Sequence, residues 1–172
     1  NLECGSTSPR IAAETVVAHG ADVAICLDGD ADRVLVIDEQ GCPIDGDHFL
    51  GMIGSRWMKE DILIKNTLVA TVMSNMHLET FLNREGIKLI RTAVGDRYVV
   101  EQMRLNGFNL GGEKSGHVVM TDYSTTGDGL MAGLQFLAEM VRRREPASVV
   151  GRPFDLAPQK TENIIYASEK NP

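Results

Sequence analysis

Residues 23–38 read Val23-Ala24-Ile25-Cys26-Leu27-Asp28-Gly29-Asp30-Ala31-Asp32-Arg33-Val34-Leu35-Val36-Ile37-Asp38, an acidic segment set between two apolar runs. Short β-branched runs bounded by Gly and Asp have the composition of buried strands, so residues 28–33 between them form a turn. Three carboxylates in one tight turn repel one another: unit charges about 5 Å apart at an effective dielectric of about 20 cost roughly 3 kcal/mol. A hard divalent cation offsets that repulsion. Magnesium favours a few carboxylate oxygens plus a substrate or enzyme phosphate in near-octahedral order. Asp28, Asp30 and Asp32 therefore read as Mg²⁺ ligands in a site built for phosphate chemistry.

The same spacing opens a calcium-binding EF-hand loop, and Glu39 falls at the twelfth position of that motif. An EF-hand needs Gly at its sixth position and helices on both sides; this chain has Arg33 there and strand-like flanks. A purely structural turn would also be rich in Gly and Asp, but it has no need of three ordered acids beside an arginine.

Outward from this segment, apolar stretches alternate between strand and helix periods, the pattern of α/β architecture with a mixed, mostly parallel sheet flanked by helices. Pro9 opens a helix reaching about His19, at the one helical position where its missing N–H costs nothing. Gln40-Gly41 turns the chain into a short return through Pro43 and Ile44. Asp47 is expected to cap a helix to about Lys59 that turns Phe49, Leu50, Ile53 and Trp57 inward. Strands are expected at 68–72, 87–90, 108–110 and 118–120. Helices are expected at 74–84, 95–106 and 126–144, the first and last capped by Ser74 and Thr126. Past Glu145-Pro146 the chain turns polar, and Ile164-Ile165-Tyr166 reads as a strand with no local partner.

The 172 residues are 43% hydrophobic and 24% charged, a balance that supports a globular core. A net charge of −7 argues against a nucleic-acid or anionic-membrane surface. The one basic run, Arg142-Arg143-Arg144, suits the end of a helix. Cys4, Cys26 and Cys42 lack the spacing of a zinc site or a disulfide framework, which favours a reducing cytoplasm. No apolar stretch approaches the roughly 20 residues of a bilayer span. The chain opens on Asn1-Leu2-Glu3 without an initiator Met, so an internal piece of a longer protein is expected.

A second polar constellation, Gly111-Gly112-Glu113-Lys114-Ser115-Gly116-His117, sits where a strand ends, the place at which open α/β sheets bind ligands. Glu113 and Ser115 present a carboxylate and a hydroxyl suited to adjacent sugar hydroxyls, and Lys114 and His117 offer positive charge or a proton near phosphate. Gly107 and Gly112 followed by Lys114-Ser115 come close to a P-loop, but Glu113 intrudes before the lysine and a strand follows where a helix should start. Gly95-Asp96-Arg97 opens a helix, with Arg97 able to reach phosphate, and the 125–129 segment caps another. His19, His48 and His77 have no metal-ligand partner at useful spacing and read as structural.

Taken together, residues 28–33, Gly95-Asp96-Arg97-Tyr98-Val99, residues 112–117 and Thr126-Gly127-Asp128-Gly129 resemble the α-D-phosphohexomutases in order and approximate spacing. Met73-Ser74-Asn75-Met76 and residues 91–99 look most like that family's phosphoglucosamine mutase branch. The resemblance implies the end of a second domain (1–46), a complete third, sugar-binding domain (47–150), and a linker into a fourth (151–172). It implies that Asp28, Asp30 and Asp32 hold Mg²⁺ against a seryl phosphate, with Arg33 and His117 at the reacting centre as catalytic groups. Glu113, Ser115, Lys114 and Arg97 would bind the substrate, a phosphorylated amino sugar. Ala31 stands where the family commonly has Gly, and Lys114 where Gln or Met is frequent.

The activity implied is exchange of glucosamine 6-phosphate with glucosamine 1-phosphate in the cytoplasm, with phosphomannomutase or phosphoglucomutase activity, or a non-catalytic cation-binding module, as alternatives. The implied partners are the remaining domains and a second copy in a homodimer, with no nucleic acid and no membrane. The family's phosphoserine motif is not found in this sequence, so the chain alone is expected to be inactive and to bind Mg²⁺ weakly.

Overall fold

Val23–Leu27 (β1) and Val34–Asp38 (β2) pair antiparallel, with Leu27 opposite Val34, so residues 28–33 are the loop of a hairpin. Pro43–Ile44 (β3) adds to the far side of β2. Arg10–His19 (α1) precedes this small sheet and packs on β1 and β2. The computed structural model describes residues 4–162; the strand expected at 164–166 lies outside them.

Gly46–Lys59 (α2) follows β3 directly and is buried along most of its length. Phe49, Leu50, Ile53 and Trp57 are the apolar positions expected from its period, and all four are in the core. Val34, Val36 and Ile44 of the small sheet share that core with Leu68, Leu110 and Val118 of a second sheet. One continuous core thus joins the acidic hairpin to the rest of the chain.

The second sheet has the order β5-β4-β6-β7, from Lys88–Thr92 (β5), Thr67–Thr71 (β4), Leu110–Gly112 (β6) and Val118–Met120 (β7). The first three are parallel and β7 is antiparallel to β6. Every residue of β4 is buried, as expected of a central parallel strand covered on both faces. Leu68 and Ala70 face the main core, while Val69 faces a second cluster with Val99, Met103, Phe108 and Val119. Met76–Arg84 (α3) and Asp96–Asn106 (α4) supply the parallel crossovers. From β4 the chain moves to one neighbour, β5, and then returns past β4 to β6. That reversal places the loops after β5 and β6 at the carboxyl edge of the sheet, where a crevice forms.

Gly129–Arg143 (α5) packs on β1, β2 and α2, and the short Ala147–Val150 (α6) closes against α5 and β2. The segment that follows is strapped down. Phe154 stacks on Phe81 with ring centroids 5.1 Å apart, His48 Nε2 donates to the Phe154 carbonyl at 2.8 Å, and His77 Nδ1 donates to that of Asp155 at 2.7 Å. Asn75 both donates to and accepts from the Ala157 backbone.

Three caps differ from expectation by one or two residues. Asp45, not Asp47, caps α2; Asn75, not Ser74, caps α3; and Asp128, not Thr126, caps α5. In each case neighbouring residues were chemically competent to cap, and the extended backbone conformation at the junction selected one. Asp47 is instead buried, with Oδ2 accepting the Asn75 backbone N–H at 2.7 Å.

Candidate functional site

The hairpin loop and the 113–117 turn meet edge to edge. Val34 donates its N–H to the Gly116 carbonyl at 3.0 Å, and Arg33 forms an isolated antiparallel bridge with His117. The turn closes on itself through Glu113 N–H to the His117 carbonyl at 2.8 Å and Gly116 N–H to the Glu113 carbonyl at 3.0 Å. Gly116 has φ of +90°, and a Cβ there would lie 2.1 Å from the Val34 carbonyl oxygen, so glycine is demanded both by conformation and by contact.

Within the loop, Asp28, Asp30 and Asp32 each present an oxygen within 4.8 Å of the others. Adjacent ligands around an octahedral Mg²⁺ are about 3 Å apart and opposite ones about 4.2 Å, so modest rotations bring all three to one ion. Asp32 Oδ1 is buried with no hydrogen-bond partner, its one cationic neighbour among the described residues being Arg33 Nε at 3.8 Å, so it keeps its capacity to ligate an ion. The donor set is all oxygen, which suits a hard ion. These residues fit Mg²⁺.

Electrostatics agree with the geometry. Burial raises the Asp32 carboxyl, and the neighbouring Asp28 and Asp30 carboxylates raise it further, against the opposing effect of His117. Burial would also raise Asp28, but the Arg33 backbone N–H, at 3.1 Å, together with Asp32 and the Arg33 guanidinium, holds it below the usual carboxylate range. Arg33 Nε lies 3.7 Å from Asp28 and 3.8 Å from Asp32, on a side chain about half exposed. It partly offsets the loop's negative charge.

The proposed sugar-binding residues are carried on the same turn. Glu113 Oε1 accepts the Gly95 backbone N–H at 3.0 Å, tying the 113–117 turn to the start of α4. Lys114 Nζ lies 3.5 Å from Asp45 Oδ2 and 3.4 Å from Gln159 Oε1, and Ser115 is exposed. Arg97 stands apart: its guanidinium lies over the Tyr98 ring, 4.7 Å from the centroid, and donates to the Tyr98 hydroxyl at 2.9 Å. It opens onto a groove shared with Arg104, Thr125 and Thr126. The structure thus gathers Asp28, Asp30, Asp32, Arg33 and His117 at one point, with Glu113, Lys114 and Ser115 on the adjoining turn, and leaves Arg97 turned to its own neighbour.

Two contributors escaped the sequence reading. Asp45 pairs with Lys114, and its acidic side chain beside a helix start carried only a capping signal. Gly127 packs against the His117 ring, where a Cβ would come 2.5 Å from Cε1 and Nε2; the segment around it signalled a helix start and nothing about a ring.

Residues 45–153 match the family model described as phosphoglucomutase/phosphomannomutase, alpha/beta/alpha domain III. The whole chain is 62% identical to part of a protein named phosphoglucosamine mutase from Roseobacter denitrificans and 59% identical to one from Dinoroseobacter shibae. It spans 38% of the length of each of these relatives. Among solved structures, a phosphoglucomutase/phosphomannomutase family protein from Burkholderia thailandensis superposes with a TM-score of 0.77 at 23% identity, over 85% of this chain and 32% of that one. Aspergillus fumigatus N-acetylphosphoglucosamine mutase, solved with GlcNAc-6P and magnesium, gives 0.64 at 17% identity over 86% and 39%. These two share the fold. With the α/β/α domain matched over residues 45–153, the chain belongs to the phosphoglucomutase/phosphomannomutase family.

Proposed function

We propose that this chain is the metal-loop and sugar-binding section of a cytoplasmic phosphoglucosamine mutase, which interconverts glucosamine 6-phosphate and glucosamine 1-phosphate through a phosphoserine and a bisphosphate. The observation that carries the reading is the docking of the three-aspartate loop onto the Glu113 turn. The names of relatives 59–62% identical over all 172 residues support the amino sugar as substrate. Residues 1–46 would complete a second domain, 47–150 form the third, and 151–172 lead toward a fourth.

In this reading Asp28, Asp30 and Asp32 hold Mg²⁺, which supplies charge neutralisation for phosphoryl transfer. Arg33 balances the loop and faces the incoming phosphate. Glu113 and Ser115 grip sugar hydroxyls; the Gly95 N–H fixes one Glu113 oxygen and leaves the other for substrate. Lys114 and Arg97 supply positive charge at the rim, and His117 stands at the metal edge of the site. The phosphoserine and the rest of the cleft would come from the remaining domains, so the 172-residue chain alone has no turnover.

The test is a coupled assay of the longer protein with glucosamine 6-phosphate, glucose phosphates and mannose phosphates. Preference for the amino sugar is expected. Equal or greater turnover of glucose or mannose phosphates would move the assignment to another branch. Calcium titration of the 172-residue chain separates a mutase loop from an EF-hand, which would bind at micromolar concentration with a large helical change.

A further inference from the structure

We propose that His117 is a positioning residue for Asp32: it holds Oδ2 so that Oδ1 is delivered to the metal. This rests on the three aspartates being the ligands. His117 Nδ1 lies 3.0 Å from Asp32 Oδ2. A carboxylate can only accept, so the ring proton sits on Nδ1 and is donated to Asp32. The other carboxylate oxygen, Oδ1, is buried, accepts no hydrogen bond and has Arg33 Nε only at 3.8 Å, which leaves it available to the ion. A hydrogen bond that occupies one oxygen of a ligating carboxylate fixes the rotamer and direction of the other.

The ring is itself held from three sides. It is 2% exposed, on a residue whose backbone bridges to Arg33 and whose carbonyl accepts the Glu113 N–H. Gly127 lies against its far edge, so close that a methyl there would overlap Cε1 and Nε2. Nε2 is buried and without a partner. It is the only other ring atom able to carry a proton, and it is sealed against Gly127.

Mn²⁺ binding to the 172-residue chain, read from the electron paramagnetic resonance of the free ion, tests this without any turnover. Removing the partner of a metal ligand typically weakens affinity by about 10–100-fold. His117→Leu keeps a buried apolar volume and should weaken Mn²⁺ binding by about 10-fold or more, with far-UV circular dichroism showing the fold retained. His117→Asn replaces Nδ1 with an amide donor near the same place and should recover binding to within about 3-fold of the parent chain. Equal affinity in the parent chain and His117→Leu would overturn the positioning role, as would equal loss in both variants. No saturable Mn²⁺ binding by the parent chain would instead remove the metal-site reading itself, and the positioning role with it.

Discussion

Ala31 takes φ of +59° at the tip of the acidic loop, in the left-handed region that costs an L-residue about 1–2 kcal/mol. Glycine would relieve that strain but add freedom to the unfolded chain, so Ala31→Gly should stabilise by about 0.5–1 kcal/mol in urea unfolding. The resemblance to a family that commonly has Gly at this position agrees with the conformation. Gly127 presents the opposite case, with contact and not φ setting the residue type. Gly127→Ala should lower stability by about 1–3 kcal/mol through overpacking against His117 and the Asp32 carbonyl, which its methyl would approach to 2.9 Å. A wild-type urea midpoint for Gly127→Ala would show that the ring moves aside freely. His48 supplies a pH dependence. Burial lowers its pKa despite the Phe154 carbonyl that favours its proton, so the fold prefers the neutral ring. The stability this gives is complete above the ordinary histidine value of about 6.5 and is lost as pH falls through the lower folded value. Unfolding measured from pH 7.5 down to pH 5 should therefore steepen on the acid side, and His48→Gln should flatten that fall.

At the scale of elements, α2 and the 152–159 strap decide how the pieces hold. Ile53 is fully buried on α2 and packs in the core that joins the two sheets. Ile53→Ala should cost about 2–5 kcal/mol, seen as a lowered urea midpoint with one transition, because the two sheets share that core. Separate transitions for hairpin and sheet would contradict a single core. Asn75 joins a different pair of elements, accepting from His77 to cap α3 while bonding Ala157 in both directions. Its replacement by Ala removes the cap and frees the strap, a loss of about 2 kcal/mol with new proteolytic cleavage near residues 155–159. Of the three histidines read as structural from their spacing, His48 and His77 hold the strap by its carbonyls.

Across the whole molecule, the acidic loop is a joint as well as a candidate ligand set. Gly116, Gly127 and Gly129 each approach the backbone of residues 32–34 too closely for a side chain, and Gly129 donates its N–H to the Ala31 carbonyl at 2.9 Å. An ion that binds the loop only when this joint is closed stabilises the folded state by mass action. At ten times its dissociation constant, Mg²⁺ should raise the unfolding free energy of the 172-residue chain by about 1.4 kcal/mol. The rise should vanish in Asp30→Asn, whose exposed side chain has little other work in the fold.

Local chemistry decided much of this protein before any tertiary contact. Hydrophobic period marked the strands and helices to within about three residues, and the crowding of Asp28, Asp30 and Asp32 called for a cation because charge repulsion in a six-residue turn is a local matter. Pattern also placed Glu113 at a strand end. Tertiary structure alone decided which oxygen of Asp32 stays free, which of two neighbouring residues caps each helix, and why Gly127 carries no side chain. Cap choice follows the extended backbone at each junction, and the other two turn on a contact between segments far apart in sequence, such as His117 with Asp32. Such a contact leaves no periodicity or spacing in the chain, because its geometry exists only once the intervening core has packed.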